Sequence, residues 1–313
     1  MPNNQSKQLA HGAMMVAMFT VLFVIGLYVP VISIFAIAFS PVPIAWYSAK
    51  YKTSASLLVV VTALVISLIV GGIISLPTAV MFTLLGLVIG SSVRNKKSKL
   101  NMFISTTIAM LVSICFMYAF LVVIFSVNVV KEFLNRLKEN MDVMAESAEK
   151  LGGAITYTPE QLASMYTIVE TVIPAVVIIG SAVMALIFMN ITLAILKRLR
   201  VDVPKFQPFN HLRFPKSIVF YYLIVLAISM FVNLEVGTSL YTIVLNFMFI
   251  LSILLVIQGI ALMFYFIQSK GLPTALKFVV VFLTIPLYNF VLLIGVFDIA
   301  FNIREFVSDK KTK

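Results

Sequence analysis

Apolar runs near twenty residues long recur from one end of this sequence to the other, and no other feature constrains the fold as tightly. A bilayer core is about 30 Å thick, and a helix of roughly 20 apolar residues crosses it. Membrane barrels alternate apolar and polar residues in short segments, whereas these runs are continuous. Of the 313 residues, 61% are hydrophobic and 11% are charged; a soluble domain carries about 25% charged residues. The sequence therefore predicts an all-α fold, a polytopic transmembrane helix bundle of about eight to nine spans. The lipid bilayer is its first partner. The net charge of +11 does not point to nucleic acid. The basic residues sit in short clusters between apolar runs, as the positive-inside rule expects of cytoplasmic loops.

One long interruption, residues 127–165, divides the chain. Residues 1–126 form an N-terminal membrane half with five apolar segments, residues 166–303 a C-terminal half with about four, and 304–313 a charged tail. Within the interruption Val130, Leu134, Leu137, Met141, Met144, Ala148 and Leu151 recur at steps of four and three, an apolar stripe on one helical face. Gly152-Gly153 stops that helix. Thr158 as N-cap, Pro159 at the first helical position and Gln161 in a capping box start another. The segment predicts an amphipathic helical hairpin. Alternation from a cytoplasmic N-terminus places it outside the cell, and its excess of acidic over basic residues agrees.

The first segment, 9–28, carries the small residues Ala10, Gly12, Ala13 and Ala17, positions that let another helix approach. His11 beside them reads as a polar residue at a helix start. Pro30 opens the next run, and Pro41 and Pro43 interrupt it before Trp46 and Tyr47. This is either a simple helix end or a broken element lining a cavity. Segments 54–70 and 76–93 meet at an outer turn, Gly71-Gly72, and Gly86 with Gly90 forms a second small-residue face. Arg94, Lys96, Lys97 and Lys99 then make a cytoplasmic anchor before segment 102–126. Segment 166–196 leads to a second anchor, Lys197 to Lys216, whose interleaved prolines and phenylalanines suit acidic headgroups or a partner as well as an ordinary loop. Segments 217–234, 241–267 and 275–300 complete the chain. Nine spans would put the tail outside, although Arg304, Lys310, Lys311 and Lys313 favour the inside. Either one segment is re-entrant or the tail is an exception.

Chemistry is sparse. No serine–histidine–acid set stands out, and no phosphate-binding GxxxxGK(S/T) loop exists, so the expectation is neither an enzyme nor an ATPase. Two histidines and the single Cys115 leave little metal chemistry, and no cofactor is expected. No cleavable signal is evident. Glu170, Glu235, Lys277 and Asp298 fall near segment ends, against a proton relay through the midplane. Asn190, Asn246, Gln258 and Asn289 are the best buried polar groups. They either join helices by hydrogen bonds or line a cavity for a small polar solute.

The whole chain resembles the YybS family, predicted membrane proteins of unknown function found mainly in Gram-positive bacteria. The residues that carry the resemblance are Ala10-His11-Gly12-Ala13…Ala17, Pro41-Val42-Pro43 before Lys50-Tyr51-Lys52, and Ile294-Gly295-Val296-Phe297-Asp298…Arg304. That family in turn looks distantly like the membrane-embedded substrate-binding components of energy-coupling-factor transporters. The resemblance implies a plasma-membrane protein that binds a small solute. It would dock through Gly12, Ala13 and Ala17 onto a transmembrane coupling subunit driven by separate ATPases. The alternative expectation is a membrane scaffold or regulatory protein acting through the 127–165 hairpin.

Overall fold

A computed structural model describes residues 4–150, 159–204 and 208–304. They are helical throughout, with no strand among the described residues. The helices are α1 (Asn4–Tyr28), α2 (Ser33–Phe39), α3 (Pro41–Lys50), α4 (Thr53–Arg94), α5 (Lys99–Phe125), α6 (Val129–Lys150), α7 (Pro159–Arg198), α8 (Ser217–Phe231), α9 (Ser239–Ser269), α10 (Ala275–Thr284) and α11 (Tyr288–Phe301). The chain divides into two compact units, Met1–Thr156 with Val177–Lys205 and Tyr157–Val176 with Phe206–Lys313. Five helices are long and apolar enough to cross a membrane, and α10 with α11 forms a sixth candidate bent by 111°. The described surface is strongly apolar: Val31, Phe231, Phe278 and Ile285 are each more than three-quarters exposed. Water would not tolerate so much apolar surface. Hydrocarbon does, and this fits a bundle whose outer face meets lipid.

The count is lower than eight or nine for three local reasons. The 30–47 run forms two short helices, α2 and α3, because Pro41 and Pro43 cannot donate backbone hydrogen bonds. Helix α8 has 15 residues. Helix α4 is a single element of 42 residues by its hydrogen bonds, yet the chain doubles back inside it. Gly72 adopts φ 68° and ψ −178°, a region essentially closed to other residues. The Ser75 hydroxyl donates to the Ser67 carbonyl at 3.3 Å. Residues eight apart in a straight helix are separated by about 12 Å. The bond therefore exists only because the chain reverses at Gly72, the turn expected from Gly71-Gly72. Each arm is then close to the roughly 20 residues that one crossing needs. No atom lies within 4 Å of a Cβ built on Gly72, so Gly72→Ala should cost backbone strain alone, about 1–3 kcal/mol. Thermal unfolding in a fixed detergent measures it.

In the first unit, Phe19, Ile44, Tyr47, Ala63, Phe82 and Leu85 form the main cluster. Helix α3 lies against the second arm of α4, where Gly86 and Gly90 admit its backbone. A Cβ on Gly86 would stand 2.6 Å from the Pro41 carbonyl oxygen, and one on Gly90 would strike the Ala45 carbonyl. At the end of α3 a polar and aromatic cluster closes the unit. His11 Nδ1 and the Tyr51 hydroxyl share a hydrogen bond of 2.6 Å, and the imidazole meets the Trp46 ring edge-on at 5.4 Å. Lys50 Nζ lies 4.0 Å over that indole. Burial, reinforced by the neighbouring Tyr47, pushes the Tyr51 phenol above its ordinary range. Arg94 donates to the carbonyls of Ser48 and Tyr51 and to Thr53 Oγ1.

Helix α6 is amphipathic as its stripe predicts. Leu134 is buried and Val130, Leu137 and Met141 half-buried, while Met144 is exposed. The expected stop at Gly152-Gly153, the cap at Thr158 and the stripe positions Ala148 and Leu151 lie outside the residues whose structure or side chains are described. The expected second arm of the hairpin is continuous with the following span in one 40-residue helix, α7. No glycine or proline lies between Pro159 and Pro174 to separate them.

Candidate functional site

Two further sites with polar chemistry lie in the second unit, whose core joins α8, α9 and α11 through Tyr222, Leu251, Leu255, Val291 and Leu292. Helices α9 and α11 cross at glycine contacts. A Cβ on Gly259 would strike the Val291 carbonyl, and one on Gly295 would strike the Leu255 carbonyl. So close an approach brings their polar side chains together one turn further on.

Asp298 is buried there. Its Oδ2 accepts from Gln258 Nε2 at 2.5 Å and from Arg304 Nε and Nη2 at 3.1 and 2.9 Å. Arg304 is also buried, and its Nη1 donates to the Asn210 carbonyl at 2.6 Å. Asn210 Nδ2 in turn donates to Gln268 Oε1 at 2.6 Å. Gln258 Oε1 accepts the Phe214 amide at 3.1 Å. The guanidinium stands 5.6 Å from the Tyr265 ring. This network ties the 208–216 loop and the start of the tail to α9 and α11. Helix α11 ends at Asn302, a left-handed C-cap with φ 49°, and that turn points Arg304 back at Asp298. Asp298 Oδ1 is buried and has no hydrogen-bond partner among the described residues.

At the other end of this unit is a cleft of about 580 Å³ between the end of α8 and the start of α9. Ser229, Asn233 and Tyr241 supply polar groups, and Met230, Leu245 and Met248 supply apolar wall. The volume falls in the range usual for small-molecule sites. Neither the cleft nor the Asp298–Arg304 pair stood out in the sequence as a site. Asp298 and Arg304 figured there only as an acid near a segment end and as part of the pattern that carries the family resemblance.

The residues singled out in the sequence are dispersed. Asn246 is buried, and its amide donates to the Thr171 carbonyl at 2.7 Å and accepts the Ala175 amide at 2.8 Å. These two backbone groups flank Pro174, whose ring opens the helix beside them. Asn246 thus braces the α7 backbone beside Pro174 and joins two helices. Gln258 belongs to the Asp298 network. Asn190 is exposed and donates to the Leu186 carbonyl of its own helix at 2.8 Å. Asn289 is exposed in the first turn of α11. Pro41 and Pro43 are buried in the α3–α4 contact. Gly12 is buried with Val59 and Tyr47 as its neighbours, whereas Ala13 and Ala17 are exposed. Among the described residues no group of three or more His, Cys, Asp or Glu side chains converges as a metal site would require.

Long apolar helices, a lipid-compatible surface and a buried ion pair together define a polytopic helical membrane protein. Residues 17–299 match the family described as predicted membrane protein (DUF2232), and the chain belongs to that family. It is 27% identical over 306 residues to the uncharacterized protein YybS of Bacillus subtilis (strain 168), a match that covers 96% of this chain and 98% of that protein. No solved structure gives a significant match.

Proposed function

We propose that the protein is a small-solute-binding component of a bacterial plasma-membrane transport system, receiving its solute in the cleft at the start of α9. The cleft is the observation that carries this reading. Its mixed lining suits a molecule with an apolar body and one or two hydrogen-bonding groups. Its end of the unit carries Glu235, and the opposite end carries Arg213, Lys216 and Lys270. The positive-inside rule assigns the basic end to the cytoplasm, so the cleft opens outward, where a solute arrives. The same rule favours a cytoplasmic N-terminus, and the reading takes eight or nine of the apolar segments as membrane elements. The chain has no phosphate-binding loop of its own, which is compatible with a coupling subunit that carries separate ATPases. On this reading the protein works like the substrate-binding component of an energy-coupling-factor transporter, with exposed Ala13 and Ala17 on α1 as docking positions.

Leu245→Trp fills the cleft without touching the Asp298 network. It should lower solute affinity at least tenfold, about 1.4 kcal/mol, with thermal stability close to the parent. The readout is small-molecule mass spectrometry of nanodisc-purified protein, followed by titration of the retained compound. Equal retention by the variant would remove the cleft from consideration.

A second reading has its own observation. On α6, outside the apolar spans, Phe133, Val143 and Met144 are 54%, 62% and 71% exposed. A scaffold binding through this helix would recover another membrane protein, but no solute and no ATPases, in the same purification.

A further inference from the structure

We infer that α10 and α11 form a re-entrant hairpin, which enters the membrane from the Lys270 end of the second unit and returns the chain to that same end. Lys270 and the C-terminal tail then lie on one side of the membrane and Glu235 on the other. This inference does not depend on the solute-binding reading.

Length is the first argument. The two helices have 10 and 14 residues, about 15 and 21 Å, and neither crosses a core of about 30 Å. Direction is the second. A kinked span deflects and continues, but the 111° bend between these helices turns the second one back. The anchors are the third. Helix α10 leaves from the end of α9, and its Lys277 Nζ lies 5.7 Å from the Phe264 ring. At the turn, Tyr288 packs into the α8–α9–α11 core and faces Ser252, near the middle of α9. The chain then comes back to the end of α9, since Arg304 holds the Asn210 carbonyl and Asn210 holds Gln268. Residues 270 and 304 thus bracket an excursion that begins and ends at one place.

The backbone tolerates the turn. Ile285 N–H donates to the Phe282 carbonyl and Leu287 N–H to the Leu283 carbonyl. Thr284 Oγ1 donates to the Val280 carbonyl, and Pro286 has no N–H to satisfy. Few groups are left bare where water is absent. Charge agrees, because Arg304 joins Arg213, Lys216 and Lys270 at one end, and the sequence that follows Arg304 is basic on balance. The parity conflict between nine apolar segments and a basic tail disappears.

The test uses the full chain in a Cys115→Ser background, with single cysteines introduced as Glu235→Cys, Lys270→Cys or Lys311→Cys. Intact and permeabilised cells are treated with a membrane-impermeant maleimide, and each site is normalised to its labelling after denaturation. The expected result is one profile shared by the 270 and 311 variants and the opposite profile for 235. A 311 profile that follows 235 would overturn the inference. Should a site resist labelling, an epitope tag inserted after Lys270 or appended after Lys313 gives the same comparison by protease protection. Opposite protection of the two tags would likewise overturn it.

Discussion

Gly295→Leu is expected to abolish recovery of folded, monodisperse protein. The smallest possible addition, a Cβ, already strikes the Leu255 carbonyl and stands 2.8 Å from the Leu255 carbonyl carbon and 3.1 Å from the Gly259 nitrogen. These are backbone atoms of α9 and cannot swing aside as a side chain end would. Alanine alone should cost about 1–3 kcal/mol, the usual range for overpacking. Leucine drives the two helices apart and takes the Gln258–Asp298 contact with it. Gly180→Leu is the control, since a Cβ at Gly180 meets nothing within 4 Å. Size-exclusion profiles and thermal unfolding in one detergent compare the three. Equal behaviour of the 180 and 295 variants would mean that α9 and α11 do not meet at this crossing.

Arg304→Met should destabilise by about 3–5 kcal/mol, the cost of leaving a buried charge without its partner. Asp298 would keep one donor, Gln258, for a carboxylate that is 3% exposed. Adding Asp298→Leu removes the stranded charge, so the double variant should recover part of the loss despite carrying a second substitution. Recovery is incomplete because the Asn210 carbonyl and Gln258 Nε2 each lose a partner. A surface ion pair behaves differently, since both single variants would fall within about 1 kcal/mol of the parent. That pattern would place Arg304 in solvent. Chaotrope titration of all four proteins completes the cycle.

Local signals were legible in the sequence and distant pairings were not. Apolar run length announced α1, α5 and α9, and Gly71-Gly72 announced the reversal in α4, because a glycine turn is a local event. The stripe on α6 was equally local, and buried Leu134 sits on it. Gly259 and Gly295 belong to different elements, and no period within either helix says that they meet. Hydropathy records the extent of an apolar run but not its direction, so residues 275–300 read as one span although the chain bends by 111° within them. Asn190 and Asn246 read alike in sequence. Only Asn246 lies beside a proline-opened rung of another helix, and that neighbour sets its role. Pro41 and Pro43 read as a break, and the structure buries both, with the Pro41 carbonyl in a tight contact against Gly86.

The cluster at the end of α3 also gives the protein its own optical probe. Trp46 is the sole tryptophan of the chain, so all indole emission comes from the point where His11 on α1 and Lys50 on α3 meet one ring. Docking of a subunit at the exposed side of α1, or of an acidic headgroup at Lys50, would reach the fluorophore through a single contact. Unlabelled purified protein therefore reports on that joint without any engineered dye.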